Sequence, residues 1–115
     1  MSLREAAAAS SAISPSAVAA LFAALGDATR LALVARLGDG HAWSIGQLTH
    51  GLDLSRQGVS KHLRVLEQAR VVTHARMGRE SLYTLEPTRI NEARTYLEHV
   101  RARWDDARAL AVPSS

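Results

Sequence analysis

At 115 residues, 47% hydrophobic and 22% charged, the chain has the size and composition of one folded domain, too short for a catalytic domain joined to a regulatory one. It contains no cysteine, which excludes disulfides, thiolate metal sites and cysteine nucleophiles and fits a reducing cytoplasm. The net charge of +3 is unevenly placed: residues 54–85 hold six basic residues against Glu67 and Glu80, whereas the other segments hold eight basic against nine acidic. A positive stretch of that kind is the expected footprint for a polyanion, although a solvated basic face reads the same way until the local structure is considered.

The alanine-rich start, residues 1–13, is a poor signal peptide because Arg4 and Glu5 interrupt it and no leucine-rich run follows; it is expected to be a flexible arm. No apolar run reaches the roughly 20 residues that span a bilayer, so a soluble protein without a membrane partner is expected. The folded domain is expected over residues 14–111, with residues 112–115 as a loose tail.

Ser14-Pro15 has the form of an N-cap followed by proline at the first helical position, and Val18, Leu21, Phe22 and Leu25 recur at helical spacing before Gly26. Asp27 can cap a second helix whose stripe is Ala28, Leu31, Val34 and Leu37, closed by Gly38-Asp39-Gly40. Ser44 and Gln47 form an S-x-x-Q capping box that opens a short third helix with Ile45 and Leu48 inward, and Trp43 just ahead of it reads as a hydrophobic staple. Gly51-Leu52-Asp53-Leu54 is then a tight turn, with Leu54 expected beneath the corner, and Ser55 caps the next helix. This is a helix-turn-helix layout. In its second helix Val59, Leu63 and Leu66 share one face, while Arg56, Gln57, Ser60, Lys61 and Arg64 fall mainly on the other, with no acid before Glu67.

Beyond Ala69 the pattern turns to β: Val71-Val72-Thr73, a turn over Arg76-Met77-Gly78-Arg79-Glu80, and the alternating Ser81 to Leu85. The predicted unit is a two-stranded hairpin packed on the helices, with Arg76 and Arg79 at its solvated tip. Pro87 starts a long last helix in which Ile90, Ala93, Leu97, Val100, Trp104 and Ala107 repeat at intervals of three and four. That seam suits either its own core or a second helix; because the earlier stripes already face one another, a dimer seam is the expectation, with a smaller share from Leu21.

This order of elements, with Ala24-Leu25-Gly26-Asp27-Ala28-Thr29-Arg30, the run from Leu54 to Leu66 and the segment from Gly78 to Leu85, resembles the arsenic-repressor-like (ArsR/SmtB) family over about residues 16–110. The resemblance implies a mainly α fold with a β-hairpin wing, a winged helix-turn-helix that dimerises through its long C-terminal helix and represses promoters until an inducer releases it. No inducer can be named from the sequence. The family's soft-metal sensors carry a cysteine pair where this chain has Ser44 and Gly46, and a hydroxyl and a hydrogen cannot replace thiolates. Anchoring the zinc sensors' last-helix pattern on His99 gives Glu86, Thr88, His99 and Ala102, so two ligands are lacking. With Trp104 followed by Asp105 and Asp106, the tail is similar to the metal-independent autorepressor branch, and no metal or cofactor is expected.

The expected DNA contacts are therefore Ser55, Arg56, Gln57, Ser60, Lys61, His62, Arg64, Arg76 and Arg79. Arg56 and Gln57, in the first helical turn, are expected to read bases, Ser60 and Lys61 to add base or phosphate contacts, and Arg79 to position the wing. For His62 two readings stand: a phosphate contact, or a cap against the neighbouring helix. His41, His50 and His74 read as surface residues. No G-x-S-x-G elbow, glycine-rich phosphate loop or H-E-x-x-H motif occurs, so no catalytic residue is assigned. The expected function is repression at a palindromic double-stranded operator by a homodimer. The alternative is a protein-interaction module that uses the same fold and binds DNA weakly.

Overall fold

The computed structural model describes residues 14–111; the expectations for residues 1–13 and 112–115 lie outside them. The elements run α1 (Pro15–Leu25), α2 (Ala28–Leu37), β1 (Trp43–Ser44), α3 (Ile45–Thr49), α4 (Arg56–Gln68), β2 (Val72–Met77), β3 (Glu80–Leu85) and α5 (Pro87–Ala111). This is a mainly helical winged helix-turn-helix fold with a small antiparallel sheet and a long C-terminal helix. No single described helix is long and apolar enough to cross a membrane.

Local chemistry sets the helix starts. The Ser14 hydroxyl accepts from the Ala17 N–H at 3.2 Å, and Pro15 supplies a first residue that needs no hydrogen-bond acceptor. The Asp27 carboxylate accepts from the Arg30 N–H at 3.0 Å, starting α2 after a bend of 94° from α1. The inward face of α2 differs from the expected stripe. Leu33 and Leu37 are buried, whereas Leu31 is 52% exposed. The inner side runs through Leu33 and Leu37 with half-buried Arg30 beside them, whose Nε donates to the Ala24 carbonyl at 2.6 Å, while Ala28 and Leu31 are exposed.

The capping box of α3 is complete: Gln47 N–H donates to Ser44 Oγ at 3.2 Å, and Ser44 N–H donates to Gln47 Oε1 at 2.9 Å. In the turn that follows, Gly51 takes φ +80°, a conformation open to glycine at little cost. Leu52 packs against the core, while Leu54 is 38% exposed and lies beside Gly58 in the first turn of α4; the corner is filled by Leu52, not Leu54. Helix α4 buries Val59, Leu63 and Leu66.

The end of α4 carries no sequence signal. Arg70 adopts φ +62°, Arg70 N–H donates to the Glu67 carbonyl, and Val71 N–H donates to the Leu66 carbonyl, both at 2.9 Å. This is the paired pattern of a Schellman stop, which usually places glycine where Arg70 stands.

The wing is a three-stranded sheet in the order β1-β3-β2, one strand more than the expected hairpin. Trp43 pairs with Tyr83 and Ser44 with Leu82. Trp43 is thus a strand residue as well as the residue before the α3 cap; it packs against the core, and its indole N–H donates to Asp39 Oδ1 at 3.1 Å. The turn is tighter than expected: Met77 pairs with Glu80 across the two-residue connection Gly78-Arg79, where Gly78 has φ +63°. Arg76 therefore stands in β2 opposite Ser81, and only Arg79 is in the turn.

One core joins these elements, built from Leu21, Ala24, Leu33, Leu37, Leu48, Val59, Leu63, Leu66, Val71, Val72, Tyr83 and Ala93. Two residues expected at a dimer seam belong to it: Leu21 is 1% exposed and Ala93 is buried, and Ile90 packs against the same cluster. The start of α5 instead covers its own domain, helped by Phe22 and Tyr96, whose ring centroids lie 5.8 Å apart. Beyond that, α5 leaves the domain, leaving Leu97 55% and Trp104 61% exposed, with Val100 and Ala107 also exposed. At 25 residues α5 is about 37 Å long, which fits molecular extents of 66 × 27 × 22 Å.

Candidate nucleic-acid interface

Helix α4 presents its surface because α1, α2 and α3 pack against it, and two arginines of α2 join these helices. Arg30, rooted at the start of α2, donates to the Ala24 carbonyl and, at 3.4 Å, to the Ala23 carbonyl, satisfying the end of α1. Its Nη1 is 3.2 Å from His62 Nδ1 on α4. Arg36, from the same helix, donates to the Leu48 carbonyl at 2.8 Å and the His50 carbonyl at 2.6 Å, closing the end of α3. Sequence reasoning missed both roles. Arg30 stood in the quoted motif, but its job depends on partners six and 32 positions away.

Asp27 completes the junction. Its Oδ2 lies 3.8 Å from His62 Nδ1. The backbone N–H of Arg30 holds the Asp27 carboxyl below its ordinary value of 3.8, with the Arg30 charge adding to the effect. His62 is 25% exposed and its Nδ1 faces these two groups, so the side chain sits at a helix junction instead of on the outer face of α4.

That outer face carries Arg56, Gln57, Lys61 and Arg64, all exposed, with Ser60 half-buried between them. Ser55 is committed to the cap, its hydroxyl accepting from the Gly58 N–H at 3.1 Å. No acid stands on this helix before Glu67, which bonds His74 of β2 at the helix's far end. The wing places Arg76 and Arg79 in solvent.

Arg56 departs from its neighbours. Its guanidinium lies over Gly46 at the start of α3, so close that a β-carbon there would stand 2.9 Å from Nη2 and 3.3 Å from Cζ. In this position it joins Arg76 and Arg79 around a cleft of about 290 Å³ between α3, α4 and the wing. The two positions where soft-metal sensors carry cysteines thus have other tasks here: Ser44 caps α3 and pairs with β3, and Gly46 makes room for Arg56.

A helix offered by a turn at a basic face, flanked by a basic wing, defines a winged helix-turn-helix DNA-binding protein. A family model described as a helix-turn-helix domain matches residues 25–75. The HTH-type transcriptional regulator Rv2034 of Mycobacterium tuberculosis is 41% identical over 80 residues, covering 70% of this chain and 74% of the relative. Among solved structures, an ArsR-like transcriptional regulator from Rhodococcus sp. RHA1 is 34% identical with a TM-score of 0.73, covering 83% of this chain and 89% of that one. The transcriptional repressor BigR from Xylella fastidiosa is 26% identical with a TM-score of 0.56, covering 70% and 83%. The chain belongs to the ArsR family of helix-turn-helix transcriptional regulators, and it is a DNA-binding regulator of transcription.

Proposed function

We propose that this protein is a homodimeric, cytoplasmic, non-enzymatic repressor that recognises a palindromic operator without sensing metal. The observation that carries the reading is the face of α4 from Arg56 to Arg64, which offers hydrogen-bond donors and positive charge with no carboxylate among them. A solvated helix face ordinarily mixes acids with bases. Two copies of α4 entering successive major grooves, about 34 Å apart, would read two half-sites, with the wings on the flanking backbone. In this arrangement Gln57, Ser60 and Lys61 meet base edges and Arg64 meets phosphate.

The second copy is placed on the free part of α5, where Leu97, Val100, Trp104 and Ala107 leave apolar surface uncovered within one chain. A C2 pairing of this stripe with itself buries it and sets two α4 helices on one side of the dimer. Repression is supported by the kinship with BigR, which is named a transcriptional repressor. Metal independence is supported by the lack of cysteine and by the structural employment of Ser44 and Gly46.

The test is selection of bound fragments from a pool of random duplexes by the purified full chain. A repressor of this kind enriches one inverted repeat with half-sites about one helical turn apart. Weak, sequence-indifferent binding would instead favour a protein-interaction module.

A further inference from the structure

We propose that Arg56, Arg76 and Arg79 form a single clamp that grips one DNA-backbone phosphodiester between the recognition helix and the wing. The proposal rests on the DNA-binding reading above and removes Arg56 from the base-reading set. Three arginines from three elements, α4, β2 and the β2–β3 turn, line one cleft of about 290 Å³. Within the described residues none of the three has a hydrogen-bond or ion-pair partner, although Glu80 also lines the cleft. Among the described residues, Asp39 pairs with His41, Glu67 with His74, Glu92 with Arg89 and Asp105 with Arg101, all away from this cleft.

Three like charges around one cleft repel one another, and an anion between them removes that cost while accepting several hydrogen bonds. Guanidinium groups suit a phosphate because their planar forks donate two parallel bonds to its oxygens. The cleft is also held in shape. The register Ser44↔Leu82 fixes the base of the wing to the start of α3, and Arg76 stands opposite Ser81 on the neighbouring strand. Gly46 leaves the space that the Arg56 guanidinium fills. The third strand, β1, therefore ties the wing arginines to the recognition helix as one unit. A phosphodiester held there fixes the depth and angle at which α4 enters the groove and conveys no sequence information.

The test uses the full chain, its Arg56→Ala, Arg79→Ala and doubly substituted variants, and side-chain Nε–H NMR of the three arginines. On titration with a random-sequence duplex, the three resonances should shift together, whatever the sequence, whereas inorganic phosphate at the same concentration should leave them in place. A free-phosphate site would respond to both. With the duplex enriched by selection, replacing one phosphate per half-site with a neutral methylphosphonate should weaken the wild type about tenfold. The same replacement should cost the double variant, which keeps only Arg76, much less, and each single variant should lower the salt slope by about one unit without altering base preference. If selection enriches no sequence but random duplex still shifts the three resonances, operator recognition fails and the clamp stands. Independent shifts of Arg56 and the wing arginines, or a changed base preference in Arg56→Ala, would overturn the clamp.

Discussion

Nη1 of Arg30 stands 3.2 Å from Nδ1 of His62, joining the start of α2 to the middle of the recognition helix across 32 positions of sequence. The guanidinium must donate, so Nδ1 accepts and the ring carries its proton on Nε2. His62 is therefore held by its own fold, and Arg30 completes the junction by closing the end of α1. Arg30→Ala leaves the Ala24 carbonyl and the imidazole short of a donor, while Ala23 keeps the Gly26 N–H, and should cost about 1–3 kcal/mol of stability. His62→Ala should weaken binding to every duplex alike and leave the salt slope unchanged, as read from binding isotherms over a salt series. A drop of one unit in that slope would show that His62 touches phosphate instead.

Arg70 occupies the left-handed conformation at the end of α4, where a side chain costs about 1–2 kcal/mol relative to glycine. Arg70→Gly should raise the urea midpoint by an amount equivalent to about 1 kcal/mol, with the hydrogen bonds to Glu67 and Leu66 retained. An unchanged or lower midpoint would mean that the Arg70 side chain contributes more than the backbone conformation costs.

Asp27 contributes to the acid limb of stability, as does Asp39, whose carboxyl the His41 N–H also holds low. Because the folded Asp27 carboxyl is held below its ordinary value, the contribution is complete above the unfolded value of about 3.9 and is lost as the pH falls through the folded one. Asp27→Asn keeps an acceptor for the Arg30 N–H but cannot titrate. Its unfolding midpoint should accordingly fall less steeply than that of the wild type below about pH 4. Parallel acid limbs for the two proteins would contradict the assignment.

The helices, their starts and the wing's position were legible in the sequence because each start is a local device: Ser14 with Pro15, Asp27, the Ser44–Gln47 box and Ser55 act within three residues of themselves. What stayed hidden depends on distant partners or on backbone conformation alone. Arg30 bonds the end of α1 from the half-buried side of α2 while Leu31 is exposed, the two-residue strand β1 pairs with β3 from far along the chain, and Arg70 ends a helix without the glycine that usually marks the stop. Of the expected interface residues, Gln57, Ser60, Lys61 and Arg64 lie on the outer side of α4, whereas His62 faces Arg30 and Asp27 and the Arg56 guanidinium lies over Gly46. The apolar seam of α5 was read as one surface, yet Ile90 and Ala93 serve the domain's own core and only the stretch from Leu97 onward is left for a second copy.

That division gives the dimer a sharp test. Leu97→Glu places a charge on the exposed stripe and opposes it to its own symmetry mate, while disturbing little of the domain that Ala93 and Ile90 close. Light scattering should report a dimer for the wild type and a monomer for the variant, with the thermal unfolding of the domain retained in circular dichroism. A wild type that is monomeric at micromolar concentration would contradict the assembly.

The most direct measurement of operator recognition is the affinity of the wild type and of Gln57→Ala for the selected duplex and for each of its single-base variants. The wild type should lose about 1–3 kcal/mol at each of several positions arranged symmetrically in two half-sites. Gln57→Ala should flatten that penalty at one position in each half-site while leaving the others intact. Equal affinity of the wild type for every variant would contradict sequence recognition by the Arg56–Arg64 face of this helix.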